Sequence, residues 1–385
     1  MRFADNRNKI GKYIPAVVFL IFIYGMALWF IFSPKPDYSS SEKRYLQKFP
    51  EVTAEKLLSG DFGSEFETFF ADRFPQRNTW VGLNAYTALA EGNNGASGVY
   101  NCKNGYLINK PVSTENNLDK NIGAVADFAK SIDTPTTVML VPSTGYIVDD
   151  VLPTFHDKYN DDEDISRISS TLSKDKIGFV DLRERFKSEY KNGSQLYYKT
   201  DHHWTTKGAY TGYQELCKAL GVTPIDDSTL KKDSYPDFYG TTYSSSGFWF
   251  TPPDNIEIWN NPKNSDRNIS VKITEGANTK TSGSMYFTDH LKEDDKYPVF
   301  IDGNHALTEI TNANAKNGTI LLIKDSFSHS LAPFLAENYS KVVLVDLRYY
   351  KESVSELVTT YNPEQVVVLY GIDNLATDTD IVWLK

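Results

Sequence analysis

Short, unbroken apolar runs set between stretches of helical periodicity constrain this chain more than any other feature. The run Thr136-Thr137-Val138-Met139-Leu140-Val141 carries no charge and is too short for a buried helix. A helical pattern over Asn117–Lys130 precedes it, and a second over Ile165–Lys174 leads into Ile177-Gly178-Phe179-Val180-Asp181 and a helix near Leu182–Tyr190. The alternation returns late in the chain. Thr319–Ile323 is followed by a helix from about Ser328, Lys341–Val345 by a helix near Ser353–Tyr361, and Gln365–Leu369 comes last. Strands of this kind, apolar on both faces and separated by helices, predict an α/β fold with a mostly parallel sheet covered on both sides. Residues 222–300 break the rhythm. Their clusters of Tyr, Ser, Gly and Pro with short alternating runs predict a β-rich insertion, and no internal repeat is evident.

The N-terminus predicts a membrane anchor. Arg2, Arg7, Lys9 and Lys12 precede an uncharged apolar run from Tyr13 to Phe32. A helix of that length spans the roughly 30 Å apolar core of a bilayer. Trp29-Phe30-Ile31-Phe32 runs straight into Ser33-Pro34-Lys35-Pro36 with no small-x-small cleavage site, so the segment reads as an uncleaved signal anchor. Basic residues on its N-terminal side place the tail of residues 1–12 inside the cell and everything after residue 32 outside it. Residues 33–45, rich in Pro, Ser and charge, suit a linker. The expected organisation is therefore a cytoplasmic tail (1–12), a single-pass anchor (13–32), the linker (33–45) and an extracytoplasmic domain (46–385) that contains the 222–300 insertion. That domain opens with a helical lead-in ending at Asp72-Arg73-Phe74-Pro75.

Composition narrows the partners. With a net charge of -10 and no basic stripe beyond the N-terminus, nucleic acid is not expected as a ligand. Aromatic residues make up 14% of the chain, a content that suits both sugar stacking and Tyr-rich strand surfaces. Two cysteines, Cys102 and Cys217, exclude a disulfide scaffold and a cysteine-based zinc knuckle, and leave one bridge open.

Two blocks can carry chemistry. In Asp201-His202-His203-Trp204-Thr205, a polar turn delivers one acid and two of the six histidines, and Thr205 caps a helix running towards Leu220. A carboxylate two positions from an imidazole can fix its tautomer and stabilise its protonated form. The second block is Ile320-Leu321-Leu322-Ile323-Lys324-Asp325-Ser326-Phe327-Ser328-His329-Ser330, where a buried strand ends and Ser326 stands at the start of a helix. That is the carboxyl end of a parallel strand, beside free helix N–H groups that suit a developing oxyanion. Each block alone has a plainer reading, a capping Asp with incidental histidines and an N-cap Ser; together they point to nucleophilic catalysis. Four further residues are candidates. Asn304 in Asp302-Gly303-Asn304-His305 is either an oxyanion donor or part of a tight turn. Arg348 either binds ligand or pairs with a structural Asp. Tyr370 and Tyr146 follow strands at the same sheet edge, where packing is their commoner role.

Asp201-His202-His203-Trp204 together with Asp325-Ser326-Phe327 resembles the bacterial DHHW protein family, which is similar to the SGNH-hydrolase-like alginate O-acetyltransferases. The resemblance extends over most of the chain beyond residue 42, including Asp72-Arg73-Phe74-Pro75 and Val345-Asp346-Leu347-Arg348-Tyr349-Tyr350. It implies a three-layer α/β/α fold and a triad in the chain order Asp, His, Ser, permuted relative to ordinary SGNH esterases. Ser326 would be the nucleophile, His203 the base and Asp201 its orienter. Lys324 stands where the alginate enzymes have Gly. The implied activity is transfer of an acyl group, acetyl first among candidates, to a cell-surface or secreted polysaccharide. No cofactor is expected beyond the acyl donor, which a membrane-bound acyltransferase partner would supply. The rival expectations are a polysaccharide acetyl esterase or deacetylase, a metal-dependent phosphoesterase built on Asp-His-His, for which no further ligands stand out, and a non-catalytic sugar-binding assembly protein.

Overall fold

A computed structural model of the protein describes residues 2–113 and 117–384, with side chains from residue 13 onward. Its contacts divide the chain into two units, residues 1–84 and 85–385.

The first unit begins with helix α1 (Arg2–Phe32). Its segment Tyr13–Phe32, 20 residues with a mean hydropathy of 2.4, is long and apolar enough to cross a membrane. Two short helices follow, Ala54–Ser59 and Asp61–Asp72, joined at Gly60, whose left-handed backbone (φ 88°) lets the chain turn without a Cβ clash. The Asp-Arg-Phe-Pro block is structural in this unit. The Asp72 carboxylate takes two bonds from Arg44 and one from the Gln47 N–H, while buried Arg73 donates to the carbonyls of Gln47 and Lys35.

The second unit is built on an eight-stranded sheet. Its strands are β1 (Thr136–Val141), β2 (Gly178–Asp181), β3 (Ile269–Glu275), β4 (Asn278–Ser282), β5 (Leu307–Asn312), β6 (Asn317–Lys324), β7 (Tyr339–Val345) and β8 (Gln365–Gly371). In space they run β4-β3-β5-β7-β6-β8-β1-β2. The five strands from β7 to β2 are parallel, and β5, β3 and β4 add an antiparallel wing at the other edge. Part of the 222–300 stretch therefore extends the main sheet as β3 and β4. The rest includes a hairpin of Lys231–Phe238 paired with Asp254–Asn260.

Successive side chains of the parallel strands enter opposite cores, as a pleated strand requires. Met139, Val141, Ile320, Leu322, Val342, Leu344, Val367 and Leu369 pack on one face with helices α4 (Arg183–Lys191), α5 (Thr206–Leu220) and α6 (Ser328–Leu335). Val138, Leu140, Leu321, Ile323, Val343, Val345, Val366 and Val368 pack on the other with helices α2 (Asn117–Ser131), α3 (Asp161–Lys174), α7 (Val354–Tyr361) and α8 (Ile372–Thr377). This is an α/β fold with a large, mostly parallel sheet between helices, and it explains why these strands read as continuous apolar runs. Cys102 and Cys217 are both buried and free; the bridge left open by the sequence does not form.

Candidate active site

The loop bearing Asp201 is a tight turn closed by its own flanks. Tyr197 and Trp204 face each other in an antiparallel bridge, the Tyr198 N–H donates to the His203 carbonyl (3.2 Å), and the Thr205 hydroxyl caps α5 through the Gly208 N–H (3.1 Å). Buried Asp254 braces the turn, accepting from the N–H groups of Lys199 (2.9 Å) and Thr200 (2.8 Å) and from the Thr200 hydroxyl (2.7 Å). The turn has little freedom, and its carboxylate and imidazoles project in fixed directions.

Ser326 lies in the turn between β6 and α6. The Asp325 carboxylate shapes that turn by accepting from the N–H of Phe327 (2.9 Å), the N–H of Gly371 (2.8 Å) and the Asn374 amide (2.7 Å). Asp325 thereby ties the end of β6 to the end of β8. Trp204 joins the two loops: its indole N–H, wholly buried, is shared between the Phe327 carbonyl and the Ser330 hydroxyl, each at 2.9 Å.

These supports bring three side chains into line. Ser326 Oγ lies 2.6 Å from His203 Nε2, and His203 Nδ1 lies 2.5 Å from Asp201 Oδ1. A carboxylate only accepts, so His203 carries its proton on Nδ1 and offers Nε2 to the serine hydroxyl. Asp201 also accepts from the N–H groups of His203 (2.8 Å) and Thr241 (2.7 Å). Burial opposes its charge, but His203, His202 and these donors hold its carboxyl well below the usual range. The Tyr297 ring stacks on the His203 imidazole, with centroids 4.0 Å apart and planes within 10°, while its hydroxyl donates to the Ser326 carbonyl (3.2 Å).

The two histidines separate clearly. His202 turns to the Thr241 hydroxyl (2.6 Å), and its pKa is pushed down to about 3, first by burial and then by the neighbouring His203. Asp201, His202 and His203 offer atoms close enough together to hold a metal ion. Here the Asp201 oxygens and both His203 nitrogens are already committed to hydrogen bonds, with Ser326 as one partner.

Ser326, only 9% exposed, lies on the floor of a cleft of about 420 Å³ at the carboxyl ends of the parallel strands, where open α/β sheets place their sites. Asn304, Arg348 and Tyr370 all line this cleft. Arg348 pairs with a buried Asp, the second of the two alternatives read from its sequence position, and also faces the cleft. It grips Asp346 with two nitrogens (2.9 and 2.6 Å) and reaches Asn304 Oδ1 with Nη2 (2.9 Å). Tyr370 is a nearly buried wall residue. Tyr146 is not among the residues lining the cleft; its hydroxyl bonds to Asp162 and Lys187 covers its ring. Lys324 is buried and its ammonium bonds to Asp346 and His329, each at 2.8 Å. Tyr297, Thr241 and Asp254 come from the 222–300 region and carry no motif that marks them as site residues.

Fold and site together define an α/β protein with a Ser–His–Asp constellation at the carboxyl edge of a largely parallel sheet. The chain belongs to the DHHW protein family, whose model matches residues 112–345. A DHHW family protein from Eubacterium siraeum has a similar structure, with a TM-score of 0.63 at 18% identity over 75% of this chain and 97% of that one. Bacillus cereus PatB1, solved with a sulfonyl adduct, gives 0.61 at 21% identity over 74% of this chain and 97% of that one. The O-acetyltransferase domain of Pseudomonas putida AlgJ is more distant, at 0.49 and 14% identity over 75% of this chain and 95% of that one. No curated protein matches the sequence.

Proposed function

We propose that the protein is a membrane-anchored extracytoplasmic O-acyltransferase, with acetyl as the group moved and a cell-surface or secreted polysaccharide as acceptor. The observation that carries this reading is the closed Ser326–His203–Asp201 relay on the cleft floor, in the chain order Asp, His, Ser. Ser326 is the nucleophile. As its Oγ bonds to the acyl carbon of a donor ester, its proton passes to His203 Nε2 and the carbonyl electron pair moves onto oxygen. The N–H at Ser326 and the Asn304 amide steady that oxyanion. Collapse re-forms the carbonyl and expels the donor's alcohol, which takes the proton from His203. A sugar hydroxyl then attacks the acyl-enzyme, gives its proton to the same nitrogen and leaves as the ester, returning the proton to Ser326. Water in place of the sugar would give an esterase. Transfer is favoured by the resemblance to alginate O-acetyltransferases and by the N-terminal segment, whose preceding basic residues suit an extracytoplasmic domain. A membrane-bound acyltransferase would supply the acyl group. Tyr370 forms a wall of the acceptor site, and no cofactor takes part.

PatB1 has been obtained with a sulfonyl adduct, and the same reagent class tests this chain. A sulfonyl fluoride should label the wild type, fail on Ser326→Ala, label His203→Ala severely less and spare His202→Ala most of its reactivity. Equal labelling of wild type and Ser326→Ala would remove the proposal. Acetyl release compared with acetyl transfer to an oligosaccharide distinguishes esterase from transferase.

A further inference from the structure

Lys324 and His329 form a buried pair beside the nucleophile that the relay leaves unused. The Lys324 ammonium lies 2.8 Å from His329 Nε2 and 2.8 Å from Asp346 Oδ2, and all three residues are at most 2% exposed. An ammonium has donors only, so Nε2 of His329 must accept. Burial and then the charge of Lys324 hold the His329 pKa well below its ordinary value, which keeps the ring neutral and puts its single proton on Nδ1. That Nδ1 is buried and has no hydrogen-bond partner among the described residues. Unpartnered buried donors are rare because each loses its hydration without compensation, so they call for a reason. His329 is among the residues lining the cleft, three positions beyond Ser326. From the other side of Asp346, Arg348 holds Asn304 Oδ1 at 2.9 Å; a guanidinium cannot accept, so the Asn304 amide nitrogen is left as a donor.

On the reading given above, we propose that the Asp346-centred cluster of Lys324 and Arg348 presets two neutral N–H donors, His329 Nδ1 and Asn304 Nδ2, for the acyl carbonyl oxygen, with His329 the donor that recognises the acyl group. As the Ser326 Oγ–carbon bond forms and the carbonyl pair moves to oxygen, the His329 N–H strengthens its hydrogen bond without giving up its proton, and the pair returns on collapse. A lysine where the alginate enzymes have glycine is thereby explained: its charge sits beneath the cleft and fixes a tautomer. Lys324 and Asp346 are positioning residues, since they act through His329 and Arg348.

The test uses the full-length chain in detergent with p-nitrophenyl acetate as probe. His329→Phe, which keeps ring volume but has no donor, should lower kcat by about 10²–10³-fold with KM nearly unchanged. His329→Gln, able to accept from Lys324 at one end and donate from the other, should recover most of that loss. If His329→Phe does not fold, nitrogen NMR of the 15N-histidine-labelled wild type serves, and it should find the His329 proton on Nδ1. A folded His329→Phe with wild-type kcat, or a proton on Nε2, overturns the inference while Ser326→Ala remains inactive. Undiminished turnover in Ser326→Ala instead removes the proposed function and this inference with it.

Discussion

Asp201 can sit under the imidazole only because Gly240 has no side chain. A Cβ at Gly240 would lie 2.1 Å from the Asp201 Cβ and 2.3 Å from Oδ2, although the glycine's own backbone angles are ones any residue adopts. Gly240→Ala should therefore push the carboxylate out of line, at about 1–3 kcal/mol of stability. The expected result is a lower urea midpoint together with slower sulfonyl labelling, and a variant with both at wild-type values would show that the space is not tight. Residues of this kind mark where sequence reading ran out. Asp201, His203 and Ser326 were legible because each sits in a local block with a recognisable pattern. Gly240, Tyr297 and Asp254 act across long chain separations, and a glycine, a tyrosine or an aspartate in a loop carries no sign of which distant group it serves. His202 is adjacent and of the same chemistry, so residue type alone does not separate the two; the motif position before Trp204 points to His203, and the direction of the His202 ring, towards Thr241, agrees.

Between elements, the decisive link is the indole of Trp204, which fastens the turn before α5 to the first turn of α6. Trp204→Phe keeps most of the apolar volume but strips the donor from a buried carbonyl and a buried hydroxyl, a loss of about 1–3 kcal/mol. Urea unfolding should show that loss, and labelling of Ser326 should slow with it, since the two loops would no longer be held in register. Unchanged labelling in a destabilised variant would confine Trp204 to packing. The parallel strands were readable because burial on both faces leaves them uniformly apolar. That the β-rich stretch continues into the same sheet was not readable, and its edge strand β4 is largely exposed, with Asn278-Thr279-Lys280-Thr281-Ser282 showing no apolar face. Its place in the main sheet is set by pairing with β3, a long-range fact.

At the scale of the whole molecule, buried ionisable groups couple folding to pH. His202 and His329 are held neutral in the native state, with pKa values depressed by burial, whereas an unfolded histidine titrates near 6.5. As pH falls below about 6.5 the unfolded chain binds protons that the native chain refuses, so this contribution to stability is present above that pH and lost below it. Asp161 and Asp373, lifted by burial to about 6 and about 7, act in the opposite sense. The clean observable is thus a difference between variants. His329→Gln should lose less stability than the wild type between pH 7 and pH 5, by on the order of 1 kcal/mol per pH unit, in urea titrations. Equal slopes would mean that native His329 takes up its proton as the unfolded chain does and is not held neutral.

The stacking of Tyr297 on His203 reaches further than packing. With a phenol ring flat against one side and Asp201 gripping the far nitrogen, the imidazole has no second pose, so one lone pair must serve both halves of the proposed cycle. In that cycle the donor's alcohol has to take the proton and leave before the acceptor can give up its own to the same nitrogen, which predicts an exchange of one substrate for the other. Double-reciprocal plots at several fixed donor concentrations should come out as parallel lines, and lines that intersect would mean that both substrates are held at once.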